Sequence, residues 1–188
     1  MKKTKLLLLI FGLAFSAMLY GQATLNCYPE SADYNTGTTN GTDFTYSSLI
    51  RTQASTEVGY ARFDITGIPA GATIQSVELN IYVSLDNYAY FYTMPLSEDP
   101  LLGDAESVYN DVVGGSQYVQ WTGNFPDPGW YIADLGTTAV SDLQANLDAD
   151  EGWFGVGLWE YEGGTTYFLE YDGWNETNPH CSLQRLGG

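Results

Sequence analysis

The sequence predicts an all-β protein: a jelly-roll-like antiparallel β-sandwich with one short helix. Residues 60–83 carry the first observation. Ala61, Phe63 and Ile65 share one parity, and beyond a turn Val77, Leu79, Ile81 and Val83 share another. Such alternation gives a strand one dry and one wet face, and two such strands in succession need a second layer to cover the dry sides. A second observation is a series of short runs rich in aromatic and β-branched residues, separated by Gly, Pro, Asn and Asp. Aromatic residues are also 15% of the chain, too many for a disordered tail and enough for a core.

Residues 1–22 read as a secretory signal. Lys2, Lys3 and Lys5 form its positive start, 6–18 is apolar, and Gly21 lies among small or polar residues near the cut. The apolar run is too short for a membrane span. Residues 23–188 then form a single sandwich domain, secreted to the extracellular space or cell surface and long enough to enclose a core. Strands are expected at 24–28, 47–52, 60–65 and 74–83. Gly67-Ile68-Pro69-Ala70-Gly71 supplies the turn of the central pair, because Pro fixes φ and Gly permits positive φ. Residues 33–43 read as a polar loop, 88–93 as an aromatic strand, and 96–115 as mostly loop, broken by Asp99-Pro100 and Gly114-Gly115. Further strands are expected at 117–122, 129–135, 153–161, 166–172 and 181–186. The helix is expected at 138–147, where Val140, Leu143 and Leu147 share a face and Thr137 or Thr138 offers a cap.

Charge narrows the partners. All three lysines lie in the leader, so residues 23–188 hold three arginines against 23 acids, a net −20. That surface disfavours nucleic acid and anionic membranes, and it favours a neutral polysaccharide over an acidic one. Cys27 and Cys181 stand in the first and last predicted strands. In an oxidising compartment they are candidates for a disulfide, worth about 4–5 kcal/mol in the chain-entropy model; the alternative is two thiols.

The central pair resembles the signature of DNRLRE-type domains, which are similar to family-96 carbohydrate-binding modules. The residues are Tyr60, Arg62, Phe63, Asp64, Ile68, Pro69, Gly71, Ala72, Ile74, Ser76, Leu79, Ile81 and Tyr82. Asp134-Leu135, the 138–147 helix, 152–156 and 173–179 follow the same order of elements. The resemblance implies an extracellular bacterial β-sandwich, often joined to glycan-degrading enzymes or adhesive repeats. Some members bind alginate, for which the scarcity of basic residues here is unsuitable.

No catalytic constellation stands out. His180 is the single histidine, so any Ser-His-Asp or zinc site would depend on it. Aromatic platforms are the stronger candidate. Trp153, Trp159 and Tyr161 share one parity, with Gly155 and Gly157 between them, while Phe154, Val156 and Leu158 share the other. Tyr88, Tyr90 and Tyr92 form a second stripe, with Tyr82 on the preceding strand. Flat rings suit the C–H faces of sugars, although the same rings also stabilise sheets without any ligand. Asp148, Asp150 and Glu151 follow the helix, where acids oppose its negative end; a bound Ca²⁺ would offset that, and a solvated turn is the alternative. The sequence thus predicts a non-catalytic module that binds a polysaccharide through exposed aromatic side chains. The alternative is a structural or adhesive surface module, part of a longer secreted protein and without its own ligand.

Overall fold

The computed structural model describes residues 23–29, 35–54, 56–86, 90–121, 128–160, 167–173 and 181–187, with backbone alone for 86, 91, 121 and 181–187. The expected leader lies outside the described residues. The described strands form two antiparallel sheets, the sandwich that the alternation predicts. The first sheet contains β1 (Ala23–Cys27), β4 (Leu49–Gln53), β6 (Ile74–Asp86), β9 (Gly129–Asp134), β11 (Phe168–Asp172) and β12 (Cys181–Gly187). The second runs in the order β3 (Phe44–Tyr46), β2 (Thr36–Thr39), β5 (Val58–Asp64), β10 (Trp153–Trp159), β7 (Phe91–Leu96) and β8 (Val119–Trp121).

The long strand β6 organises the first sheet. β12 and β11 lie end to end along one edge of it, with Cys181 opposite Ile81 and Asp172 opposite Tyr82. β9 takes its other edge, from Glu78 opposite Asp134 to Val83 opposite Gly129. Among the described strands nothing pairs the far side of β9, so it is an edge strand.

The two strands of the 60–83 motif belong to different sheets. β5 lies in the second sheet and β6 in the first, and the Gly/Pro segment arches between them, with Gly71 at φ 76 where only glycine is unstrained. Phe63 and Ile65 therefore face Leu79 and Ile81 across one core, joined by Phe154, Leu158 and Tyr171, all buried. Fully burying each such side chain stabilises the fold by about 1.5–3 kcal/mol.

A second core covers the outer face of the second sheet. Val58, Tyr60, Tyr92, Met94 and Leu96 pack against Val108 and Val112 of α1 (Ala105–Gly114). This helix falls in a segment whose Pro and Gly residues predict a loop. Asp104 nucleates it, its carboxylate accepting from the Ser107 amide at 2.8 Å. Tyr60, whose parity predicts a wet face, is dry for that reason, and its burial beside Tyr46 pushes its hydroxyl pKa up. β2 is likewise a strand inside a predicted loop. It lies between β3 and β5, and its threonine hydroxyls satisfy carbonyls outside that ladder: Thr36 donates to the Ser47 carbonyl at 2.9 Å and Thr39 to the Ala105 carbonyl at 3.1 Å.

The expected helix is α2 (Gly136–Asp148). Ala139 and Leu143 enter the first core, with Val140 and Leu147 at its margin. Neither Thr137 nor Thr138 caps it. It begins two residues earlier, and Asp134 accepts from the Gly136 amide at 2.9 Å. Gln144 ties it to the arch, accepting from Ile74 N–H at 2.9 Å and donating to the Ala72 carbonyl at 3.2 Å.

The first and last strands are neighbours, but their register does not oppose the two cysteines. Cys27 stands opposite Leu183, two residues from Cys181. Diagonal neighbours in a sheet lie about 7–8 Å apart, beyond the roughly 4.4–6.8 Å between bridged Cα atoms. No disulfide is present among the described residues, and the Cys181 side chain lies outside them. No described helix is long and apolar enough to cross a membrane.

Candidate functional site

The residues of the two expected aromatic stripes divide between environments. In β10 the parity is as expected: Phe154, Val156 and Leu158 face the first core. The opposite face, with Trp153, Gly155, Gly157 and Trp159, is not an open trough. A Cβ on Gly155 would stand 2.8 Å from Leu96 side-chain atoms, and one on Gly157 would stand 2.7 Å from Val112 Cγ2. The glycines leave room for Val112 of α1 and for the Leu96 side chain of the neighbouring strand β7. Trp153 is only 8% exposed, with the Arg62 guanidinium carbon 5.3 Å from its ring centroid. Arg62 is in turn held by Asp99, Nε to Oδ1 at 2.9 Å. Trp159 is half-buried against Tyr92, centroids 6.2 Å apart, and Tyr92 is buried. Tyr90 is exposed just before β7. Tyr88, Tyr161 and His180 lie outside the described residues.

Tyr82 is different. It projects from the outer face of β6, away from the first core, and stands opposite Trp130 of β9. The two rings meet edge to face, centroids 5.7 Å apart and planes at 78°. Trp130 is 54% exposed and Ile132, the next outward residue of β9, is 58% exposed. Successive rungs of the β6/β9 pair read Tyr82 with Trp130, Asn80 with Ile132, and Glu78 with Asp134. At about 3.3 Å per residue the aromatic rung lies about 13 Å from the acidic one, longer than one sugar ring. Asn80 is 9% exposed, and its Nδ2 has no hydrogen-bond partner among the described residues. Across the sheet Asp172 stands beside Tyr82. The described arginine of this face, Arg51, is on β4 at the far edge, paired with Glu57 at 3.2 Å and lying over the Phe168 ring. Sequence reading passed over Trp130 because Gly129–Asp134 has no strict alternation; its exposed Trp and Ile, two residues apart, were the available signal.

The three acids Asp148, at the last position of α2, and Asp150 and Glu151, beyond it, are exposed and point to different surroundings. Asp148 accepts from Gln144 Nε2 at 2.9 Å, Asp150 lines a small pocket with Ile65 and Leu147, and Glu151 lines another with Trp153. Among the described residues no group of three His, Cys, Asp or Glu side chains is gathered to hold a metal. The segment ends the helix instead: Asp150 takes φ 57, and its amide and that of Glu151 donate to Leu147 and Asn146 carbonyls.

The larger concavity, about 390 Å³, runs between α2 and the end of β7. Tyr118 lines it, donating to Asp142 Oδ2 at 2.8 Å and stacking on Phe154. Burial first, then the Asp142 hydrogen bond and the charges of Asp142 and Asp111, push the Tyr118 pKa up. Its hydroxyl therefore serves as a fixed donor to Asp142, not as a base. No protein-family model matches the chain, and no curated protein matches it.

Proposed function

We propose that this chain is an exported, non-catalytic carbohydrate-binding module whose contact surface is the outer face of β6 and β9. The observation that carries the reading is the Tyr82–Trp130 pair, two edge-to-face rings on an open strand edge with exposed Ile132 beside them. An exposed tryptophan continuous with an apolar neighbour marks an interaction surface, and a flat aromatic face is suited to a pyranose ring. The leader-like start and the resemblance of the 60–83 motif to DNRLRE-type domains support the same reading.

Affinity electrophoresis through gels containing soluble polysaccharides tests the proposal. Retardation of the wild type by at least one polysaccharide is expected. Trp130→Ala should cost about 2 kcal/mol of binding, roughly thirtyfold in Kd, and Tyr82→Ala somewhat less. Unretarded migration in neutral, acidic and cationic polysaccharides alike, with and without Ca²⁺, would refute it.

A further inference from the structure

We infer that the ligand of the β6/β9 face is a cationic glycan, a polymer of sugars bearing free amines. This rests on the carbohydrate-binding reading and narrows it. Three features of the face are satisfied together by that chemistry. Glu78 and Asp134 stand directly opposite each other, a like-charge pair that destabilises an antiparallel ladder. Neither forms an ion pair among the described residues. A ligand ammonium between them would remove the repulsion and gain charge-assisted hydrogen bonds. On the next rung Asn80 Nδ2 is a buried donor without an acceptor among the described residues, on the same face. A sugar hydroxyl or ring oxygen supplies one. One rung further, Trp130 and Tyr82 offer ring surface for the sugar's C–H face.

Other ligand classes meet only part of this. A neutral glycan leaves the acidic rung repelling itself, and an acidic one adds to the repulsion. A protonated polyamine neutralises the acids but offers Asn80 Nδ2 only donors, and a lysine-rich peptide, whose backbone carbonyls can accept from it, brings no sugar ring for Trp130 and Tyr82. The long-range field points the same way, since residues 23–188 carry a net −20 and no lysine.

The test is calorimetric titration of the full chain with glucosamine hexamer, N-acetylglucosamine hexamer, cellohexaose and hexalysine, at a pH where the glucosamine amines are protonated. The glucosamine hexamer is expected to bind at least roughly tenfold more tightly than the two neutral sugars and than hexalysine, and its affinity should fall as salt is raised. In the Glu78→Gln/Asp134→Asn double variant the preference should collapse while cellohexaose affinity is kept. The Asp134→Asn change retains a side-chain carbonyl oxygen for the Gly136 amide, so the fold is not at stake. Neutral sugars binding as well as the amine would overturn this inference and leave the carbohydrate reading standing. Hexalysine binding as well as the amino sugar would overturn it as a matter of charge alone. No binding by any of the three sugars would overturn this inference, while the electrophoresis over the wider set of polysaccharides decides the carbohydrate reading.

Discussion

Val112 of α1 fills the space above Gly157 of β10: a Cβ on that glycine would stand 2.7 Å from Val112 Cγ2 and 3.2 Å from Met94 Cβ. The contact decides what the 153–159 stripe is for. Its glycines form the floor of a helix-packing site, Trp159 packs against the second core, and Trp153 is buried beside Arg62. Gly157→Ala should therefore destabilise by about 1–3 kcal/mol, the range for overpacking. Gly67→Ala, with nothing within 4 Å, is the control and should be near neutral. Urea unfolding midpoints measure both.

Thr38 joins the two sheets at their open edge. Its hydroxyl donates to the Arg51 carbonyl at 3.0 Å and accepts from the Arg51 amide at 2.8 Å. One side chain so completes the unpaired edge of β4. Thr38→Val keeps the shape and removes both bonds, at an expected cost of about 1–3 kcal/mol. Thr38→Ser should recover most of it. Hydrogen exchange at the Arg51 amide reads the local effect, with faster exchange in the valine variant alone.

The Arg62–Asp99 pair is largely buried, its side chains 13% and 12% exposed. Arg62→Met leaves Asp99 without its partner, and the expected loss is about 3 kcal/mol or more. Because Arg62 lies in the second sheet and the candidate surface in the first, affinity for glycan in the folded variant should be unchanged. Thermal melting and titration of the same sample separate the two effects.

Asp104 has its pKa lowered, first by the Ser107 amide. Its folded value lies below its unfolded value, so its contribution to stability is present above the ordinary aspartate range. That contribution is lost as pH falls through the folded value. The melting temperature of Asp104→Ala should lie below that of the wild type at neutral pH, with the gap narrowing under acid conditions. A gap independent of pH would remove the carboxylate from the account.

Much of the architecture was legible in the sequence. The alternation of Phe63, Leu79 and Ile81 fixes the core faces, and the period of Val140, Leu143 and Leu147 fixes α2. β2 was not legible, because Thr36–Thr39 is buried through hydroxyl bonds and a glycine and not through hydrocarbon. α1 was hidden by the prolines and glycines around it, although Asp104 followed by Ala105, Val108 and Val112 carries a cap and a helical stripe. Of the expected contact residues Tyr82 is the one found on the described open face, and its partner Trp130 became visible only when register set β9 beside β6. Long-range pairing of that kind leaves little trace in either strand alone.

The most direct measurement is the set of tryptophan indole N–H resonances during titration with glucosamine hexamer. The account predicts that Trp130 shifts strongly and saturably while Trp153 and Trp159 stay in place. Shifts concentrated at Trp153 or Trp159 with Trp130 unmoved would locate the sugar elsewhere and contradict the assignment of the β6/β9 face.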